Sequence, residues 1–337
     1  MLRPRPCKIS HFDSLRVFGV SVASPFSRIA IVGAGAIGGY YGVLLARAGR
    51  EVNFLFRRDL AYVRMHGLTI RQPPAGDFVL RPVRAFGTPQ EIGPVDLVLI
   101  GIKATANHQL PGLLQPLLQA HTTLLLLQNG LGGDALLARH FGAERVVGGL
   151  CFVCLNRTGP GEITCTLPGY VSLGEFAGPP TDRLRTLAGL LTAAGVRTDI
   201  AVNLDEVRWR KLVWNVPFNG LTIAAGGVTT DVIMGDDNLC AEARALMDEI
   251  VGAAARLGYR IPREFIEQQL AVTTGMGAYR PSSLIDWQEG REVEVEAIWG
   301  EPLRRAQAAG AGMPHLEKLY VQLRQLTAER KNMATQA

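Results

Sequence analysis

The chain has 337 residues, of which 47% are hydrophobic and 19% are charged, and its formal net charge is +5. This length and apolar content are enough for two hydrophobic cores, and no apolar run reaches the length of a membrane-spanning helix. Residues 1–27 carry four basic residues against one acidic residue, so they supply three of the five net charges. Because the remainder is nearly neutral, we expect no nucleic-acid or membrane partner.

Residues 1–27 precede the first predicted strand and show no periodic apolar pattern. We expect them to form a disordered N-terminal extension, and a basic targeting segment is the alternative interpretation. They contain no continuous apolar segment followed by a cleavage site, which favours a cytoplasmic protein.

A strand, a glycine-rich turn and a helix follow in immediate succession. Residues 29–32 are continuously apolar, and Gly33, Gly35 and Gly38 have the G-x-G-x-x-G spacing. In this context the glycines permit a tight turn, close approach of a pyrophosphate to the backbone, and close packing of the helix on the strand. The turn therefore predicts a dinucleotide site formed by Gly33, Ala34, Gly35, Ala36, Ile37 and Gly38.

A second predicted strand, residues 51–56, ends at Arg57 and Arg58. An enzyme that uses NAD(H) usually places an acidic residue here for the ribose 2′-hydroxyl, whereas arginine suits a 2′-phosphate. The sequence thus favours NADPH/NADP+ as the cofactor, with Arg57 at the phosphate. The alternative is an ordinary solvated pair of arginines.

Two further apolar strands end in polar residues. Residues 96–102 lead to Lys103, and residues 122–127 lead to Gln128 and Asn129. Because the carboxyl ends of parallel strands meet at one rim of an α/β sheet, we expect Lys103 and Asn129 to lie beside the glycine turn. We predict a doubly wound, mainly parallel Rossmann-type domain over residues 28–202 and an all-α domain over residues 203–330.

Within this scheme the later elements are predicted as follows. The first domain ends with a strand over 146–155, an antiparallel hairpin marked by the turn Gly159-Pro-Gly161 and the runs 162–166 and 170–174, a helix over 181–195 and an edge strand over 196–202. The second contains helices over 203–225, 236–258, 262–274, 286–309 and 314–330, and Pro217 is expected to kink or interrupt the first of them.

Five cysteines lack the spacing of a disulfide framework, so we expect reduced thiols. Cys151 and Cys154 have the C-x-x-C spacing of redox or zinc sites. They lie in a predicted strand without a complementary pair or histidine cluster, which favours buried structural thiols and no metal site.

The first helix of the second domain carries a polar stripe in an apolar setting. Lys211, Asn215 and Asn219 recur every four residues and therefore share one face of the helix. A polar stripe among so many apolar side chains predicts the wall of a cleft.

Five motifs occur in the order found in ketopantoate reductases, and the resemblance covers residues 28 to about 325. They are Gly33-x-Gly35-Ala-x-Gly38, Lys103 after an apolar strand, Gln128-Asn129-Gly130-x-Gly132, Trp209-Arg-Lys-Leu-x-x-Asn215, and Asp286-x-x-x-Gly290-Arg291-x-x-Glu294. The resemblance implies an NADPH-dependent oxidoreductase that converts 2-dehydropantoate or a similar 2-oxo acid into the 2-hydroxy acid.

The resemblance also implies roles for individual residues. It places a general acid at Lys211 and a second catalytic residue at Glu294, where cofactor and substrate meet. It implies substrate contacts at Asn129, Asn215, Asn219 and Ser282, and cofactor contacts at Arg57, Lys103, Asn129, Cys154 and Glu294. Ser282 as a simple helix cap, and Lys211 as an exposed lysine, are the alternatives.

The predicted chemistry suits these residue types. Hydride addition to a 2-oxo acid creates an alkoxide, which a neighbouring lysine stabilises and protonates. Burial brings the pKa of such a lysine toward neutrality, and a carboxylate such as Glu294 can restrain or orient it.

The chain departs from the family pattern at two positions, Trp299 and Gly220, where the family often has a small amide and a proline. Together with Trp214 and Trp287, Trp299 is expected to reshape the substrate pocket. This leaves open another dehydrogenase of Rossmann-plus-helical type, acting on a hydroxy acid or polyol phosphate, and a non-catalytic NADP(H)-binding regulator. It also leaves open whether the chain forms a homodimer.

Overall fold

A computed structural model describes residues 25–73 and 75–336, with side chains to residue 331. The predicted N-terminal extension, residues 1–27, lies outside the described residues except for its last three. No described helix is both long enough and apolar enough to cross a membrane.

The described residues form one sheet with ten strands. These are β1 (Arg28–Val32), β2 (Glu51–Leu55), β3 (Leu68–Arg71), β4 (Phe78–Leu80), β5 (Arg84–Phe86), β6 (Leu97–Ile100), β7 (Thr123–Leu126), β8 (Val146–Gly159), β9 (Glu162–Glu175) and β10 (Thr198–Ile200). The strand order is β4-β3-β9-β8-β7-β6-β1-β2-β5, and β10 pairs with β9. The six strands from β8 to β5 are all parallel, which is the predicted doubly wound arrangement.

Helices cover this sheet and make up almost all of the chain after residue 203. They are α1 (Ala36–Arg47), α2 (Leu60–His66), α3 (Pro89–Ile92), α4 (Leu110–Leu114), α5 (Gly133–Phe141), α6 (Asp182–Ala193), α7 (Leu204–Ala224), α8 (Thr230–Gly235), α9 (Asp237–Arg256), α10 (Glu264–Met276), α11 (Ser282–Gln288), α12 (Glu301–Ala308) and α13 (Pro314–Gln336). Short 3₁₀ helices occur at Ala104–Gln109, Gln115–Leu117 and Ala143–Arg145, and a short π-helix occurs at Glu296–Gly300. The fold class is as predicted: a mostly parallel α/β part followed by a helical part.

Three buried apolar clusters hold these layers. Two lie on opposite faces of the sheet, because successive residues of β1 point to opposite sides: Ile29 and Ile31 to one cluster, Ala30 and Val32 to the other. The third fills the helical part around Trp209 and contacts the first part through Leu131.

The sheet is larger than predicted. The short strands β3, β4 and β5 were not predicted, since each spans only three or four residues. The predicted turn at Gly159-Pro-Gly161 is present and joins β8 to β9 as an antiparallel hairpin, but the predicted break between 162–166 and 170–174 is wrong, because β9 is one continuous strand as long as β8. The pairing continues through residues 167–169 with a register irregularity near Cys154.

Two helix predictions also need correction. Helix α7 runs without interruption past Pro217, whose neighbours Val216 and Phe218 are fully buried. Packing on both sides therefore compensates for the hydrogen bond that proline cannot make. The predicted helix over 286–309 is instead divided, because Gly290 adopts a left-handed φ of 69° and residues 291–294 are irregular.

Candidate active site

The glycine turn between β1 and α1 forms an open cradle. A Cβ atom at Gly33 would lie 2.4 Å from the Ile102 nitrogen, and one at Gly38 would lie 2.2 Å from the Gly33 carbonyl oxygen. In front of Gly35, by contrast, no atom lies within 4 Å of the Cβ position. Helix α1 begins at Ala36 without a side-chain cap. The turn thus presents helix N–H groups toward open space, as a bound pyrophosphate requires.

Arg57 and Arg58 are exposed and follow the end of β2 after one buried residue, Phe56. Since β2 lies next to β1 in the sheet, both arginines are on the rim that carries the glycine turn. Their position fits the ribose end of a dinucleotide, where a 2′-phosphate would need cations.

Lys211 reaches from α7 in the helical part to the ends of two strands. Its Nζ donates hydrogen bonds to Asn129 Oδ1 at 2.8 Å and to the Cys151 carbonyl oxygen at 2.7 Å. It also lies 5.2 Å from the centre of the Phe152 ring, which stacks on Tyr170. The structure therefore brings together Lys211 and Asn129, which are 82 positions apart in the chain.

Burial lowers the pKa of Lys211 to about 8. The positive charge of Arg208 lowers this pKa further, whereas the negative charge of Glu294 opposes the shift. The ammonium is therefore a stronger acid than an exposed lysine and remains charged near neutral pH.

The two asparagines of the stripe are buried further along α7. Asn215 is 7% exposed and Asn219 is 2% exposed. Asn219 Oδ1 accepts hydrogen bonds from the Ser283 backbone N–H at 2.9 Å and from Ser282 Oγ at 3.5 Å. Asn219 therefore fixes the beginning of α11. Ser282 is exposed there and does not cap its own helix.

Glu294 connects the helical part to the end of β6. Its Oε1 accepts a hydrogen bond of 2.7 Å from the Ala104 backbone N–H. Burial raises the pKa of this carboxyl, and the Ala104 hydrogen bond and the positive charges of Lys103 and Lys211 act in the opposite direction. Glu294 influences Lys211 by charge, but in the described structure the atoms that orient Lys211 belong to Asn129 and Cys151.

Lys103, immediately before Ala104, forms an ion pair with Asp286 of α11. Asp286 also accepts a hydrogen bond of 2.9 Å from Arg291 Nε. Two adjacent residues of the first part, Lys103 and Ala104, thus contact two acidic residues of the helical part, Asp286 and Glu294.

Sequence reasoning missed a buried ion pair below the lysine. Arg208 Nη2 lies 2.6 Å from Asp134 Oδ2, and both side chains are less than 8% exposed. Arg208 also donates to the Gly130 carbonyl oxygen at 3.2 Å. It lies three residues before Lys211 on α7, so the same helix face positions both the lysine and the loop that carries Asn129.

That loop is held from the other side by the segment that follows Glu294. The Leu131 backbone N–H donates to the Ala297 carbonyl oxygen at 2.9 Å. Gly130 has a φ of 75°, and a Cβ atom there would lie 2.2 Å from the same oxygen. No side chain larger than hydrogen fits at this position.

Cys154 is half-buried in β8, and its Sγ lies 3.4 Å from the hydroxyl of Tyr279, three residues before Ser282. Cys151 is buried, and burial raises the pKa of its thiol. The four described cysteines are free, and Cys7 lies outside the described residues.

A cavity of about 750 Å³ lies next to Glu294 and Ala104. Glu294 and Ala104 lie in its wall, together with residues from the end of α13. Lys211, Asn215, Asn219 and Ser282 do not line it. The irregular segment 291–294 therefore lines this cavity, whereas the lysine does not.

Comparison with known proteins assigns this arrangement. The model of "Ketopantoate reductase PanE/ApbA" matches residues 29–178, and that of its C-terminal part matches residues 203–327. The chain belongs to the ketopantoate reductase family. Members of this family are oxidoreductases, and they use NADPH.

Individual relatives cover nearly the whole chain. The 2-dehydropantoate 2-reductase of Nostoc sp. is 38% identical over 302 residues, which is 88% of this chain and 94% of that protein. The crystal structure of 2-dehydropantoate 2-reductase from Geobacter metallireducens is 42% identical, with a TM-score of 0.86 over 88% of this chain and 99% of that one. That from Methylococcus capsulatus is 33% identical, with a TM-score of 0.82 over 90% and 97%.

Measured against the ketopantoate reductase pattern, the departures at Trp299 and Gly220 have one joint explanation. Trp299 is fully buried in the helical core and donates its indole N–H to the Val216 carbonyl oxygen at 2.9 Å. A Cβ atom at Gly220 would lie 2.9 Å from that indole nitrogen. The Trp299 ring therefore packs in the helical core, where it fills space that Gly220 leaves.

The other two tryptophans differ from each other. Trp287 lines the large cavity, and Arg330 lies over its ring. Trp214 packs beside Phe218 and Tyr279 and donates to Thr273 Oγ1 at 2.9 Å. Trp214 thus lies three residues after Lys211 on α7 and packs against Tyr279, whose hydroxyl is beside Cys154.

Proposed function

We propose that this chain catalyses the NADPH-dependent reduction of 2-dehydropantoate, or of a similar 2-oxo acid, to the 2-hydroxy acid, which for 2-dehydropantoate is (R)-pantoate. Family membership supports this, and such a reaction would serve pantothenate and coenzyme A biosynthesis. The observation that carries the proposal is the half-buried Lys211 ammonium, held by Asn129 Oδ1 and the Cys151 carbonyl at the rim of the glycine turn.

Lys211 would act as the general acid. The glycine turn would hold NADPH, which would supply a hydride to the carbonyl carbon of the substrate and itself become NADP+. The Lys211 ammonium donates its proton to the carbonyl oxygen as negative charge develops there, so the product is the neutral hydroxyl group. Solvent then returns a proton to the lysine. Its pKa of about 8 suits this cycle near neutral pH.

Other polar side chains along α7 and at the start of α11 would bind the substrate. We assign its carboxylate to Ser282, whose exposed hydroxyl is placed by Asn219. Asn215 lies one helical turn after Lys211 on α7, and Asn129 lies beside the Lys211 ammonium. Both would orient the remaining polar groups of the substrate. Glu294 would lie at the junction of substrate and cofactor, since it is bonded to the end of β6.

For the cofactor we propose the turn residues 33–38 at the pyrophosphate and Arg57 at the 2′-phosphate. Lys103, Asn129 and Cys154 would contact the remainder. Lys103 forms an ion pair with Asp286 in the described structure. It would therefore have to share its charge between Asp286 and NADPH. We further propose that residues 28–202 and 203–330 form two domains with the reaction in the cleft between them.

The direct test is the oxidation of NADPH, followed by its absorbance, with 2-dehydropantoate and a panel of branched 2-oxo acids. We expect turnover with at least one of them. Binding of NADPH without turnover would support a regulator, and activity confined to 3-hydroxy acids or polyol phosphates would support a different dehydrogenase.

The Lys211→Ala substitution tests the assignment of the general acid. We expect turnover to fall by about a hundredfold or more, while the dissociation constant for NADPH changes little. Lys318→Ala is a matched control, because Lys318 is exposed on α13. Near-normal turnover of Lys211→Ala would remove Lys211 from this role.

A further inference from the structure

A third arginine lies near the Arg57 and Arg58 pair. At the end of β2 a narrow crevice is lined by Ala34 of the glycine turn, Phe56, Asp59 and Arg157, among others. Arg157 comes from the far end of β8, about one hundred positions later in the chain than Arg57. The crevice is therefore bordered by the glycine turn, by the residue that follows β2, and by a guanidinium from a part of the chain that is remote in sequence.

The fold holds Arg157 at this position. Beyond it, β8 and β9 join in a tight turn, and β9 pairs with β3 from Glu162 onward. At the tip of this hairpin, the Gly161 carbonyl oxygen accepts a hydrogen bond of 2.8 Å from the Thr69 backbone N–H. The hairpin end is thus fixed to the same edge of the molecule as α2 and the end of β2.

Asp59 fixes the side chain itself. Asp59 precedes α2 with a left-handed φ of 60°, and its carboxylate pairs with Arg157 Nη2. The Arg157 side chain is 41% exposed and that of Asp59 is 18% exposed. A guanidinium has five N–H donors in a fixed fork, so one that binds Asp59 through Nη2 can still present donors to an anion.

The charges around the crevice favour an anion. Arg157 in its wall contributes one positive charge, and Arg57 and Arg58 add two more from the segment between the lining residues Phe56 and Asp59, whose own carboxylate contributes one negative charge. Glu162 also lines the crevice, but its carboxylate is engaged by Arg71 at 2.9 Å and by the Thr158 hydroxyl at 2.9 Å. The local balance is positive even with both acidic residues counted.

We propose that Arg157 binds the 2′-phosphate of the cofactor, together with Arg57, and contributes to the preference for NADPH over NADH. Asp59 is the positioning residue that orients its guanidinium. This inference rests on the proposed function, because it assumes that the cradle at the glycine turn binds a dinucleotide.

The test compares dissociation constants for NADPH and NADH, measured by the quenching or enhancement of nucleotide fluorescence. Loss of one charge-assisted contact corresponds to about a tenfold or greater loss of affinity. We therefore expect Arg157→Ala to weaken NADPH binding by about tenfold or more and NADH binding by less than about threefold. Arg157→Lys, which keeps the charge, should lie between this variant and the wild type.

Two further variants separate a direct role from a structural one. Arg185→Ala is the matched control, because Arg185 is also an exposed, ion-paired arginine but lies on α6 and pairs with Asp182. It should leave both constants unchanged. In the Arg157→Ala background, Asp59→Asn should not weaken NADPH binding further, since Asp59 acts only through Arg157.

The outcomes distinguish this inference from the proposed function. If the wild-type chain binds NADPH but Arg157→Ala binds it equally well, or loses NADPH and NADH affinity in parallel, the role of Arg157 is wrong and the proposed function stands. If the wild type binds neither nucleotide, both proposals are wrong.

Discussion

The chemistry of the site depends on how the protein treats one ammonium group. Lys211 loses hydration on burial but gains two short hydrogen bonds, to Asn129 and to the Cys151 carbonyl. The result is a lowered pKa together with a fixed direction for the proton. Only the first of these properties was expected from the sequence, because a backbone carbonyl partner has no side-chain signature.

The lowered pKa predicts the pH dependence of the reaction. A general acid must be protonated to act, so kcat/KM should be constant below about pH 8 and fall about tenfold per pH unit above it. The measurement is kcat/KM for the 2-oxo acid from pH 6 to pH 10. Lys211→Arg should remove this alkaline decline, since arginine stays protonated throughout, while lowering the rate on the plateau. An unchanged alkaline limb in Lys211→Arg would show that another group is titrating.

At the scale of elements, the loop after β7 is clamped between two parts of the helical half. Arg208 of α7 binds the Gly130 carbonyl on one side, and Ala297 binds the Leu131 N–H on the other. This explains why Asn129 can meet Lys211 so closely. It also makes the loop sensitive to any added atom.

Gly130→Ala should therefore be costly. The new methyl group would collide with the Ala297 carbonyl oxygen and would also hold an unfavourable positive φ. We expect a loss of about 1–3 kcal/mol in unfolding free energy, measured with urea, and a marked loss of turnover. Gly112→Ala is the control: Gly112 is exposed within α4, a Cβ atom there meets no atom within 4 Å, and the substitution should be neutral or stabilising. Equal stability of the two variants would contradict this account.

The same elements show what the sequence can and cannot predict. The glycine turn, the apolar strands and the stripe on α7 have local patterns, and their positions in the fold agree with those patterns. Asp286 was quoted within a motif without a predicted contact, and Arg208 was not singled out at all, because each acts through a partner more than 70 positions away, Lys103 and Asp134 respectively. The break at Gly290 could have been predicted, since a glycine after a short helix is a common C-terminal signal.

At the scale of the whole molecule, the sheet and the helical part are joined by polar contacts as well as by packing. The buried pair between Arg208 and Asp134 is the most enclosed of these. Removing one partner leaves an uncompensated buried charge, whereas replacing both with apolar residues removes the cost of desolvation as well.

Arg208→Met alone should therefore reduce the unfolding free energy by about 3–5 kcal/mol. The double variant Arg208→Met with Asp134→Leu should recover most of this stability. Its turnover should remain low, because the Gly130 carbonyl has lost its donor and the loop with Asn129 is no longer fixed. Urea unfolding and kcat, measured on the same preparations, test both statements. Full recovery of turnover in the double variant would show that the pair serves stability alone.

Strand β8 sets the distance between two parts of the proposed site. The carbonyl that accepts a hydrogen bond from Lys211, the proposed proton donor, is at Cys151, and the arginine proposed for the phosphate is at Arg157, six residues further along the same strand. At about 3.3 Å per residue the two points can be at most about 20 Å apart. Both ends of the bound cofactor would then be positioned by a single strand, which stays paired with β9 through a register irregularity near Cys154, rather than by two separate loops. Inserting two residues into β8 between Cys151 and Arg157, and two into β9, would lengthen the distance between these two points while preserving the alternation of side chains between the two faces of the sheet. It would uncouple nucleotide affinity from proton delivery without altering a single side chain of the site.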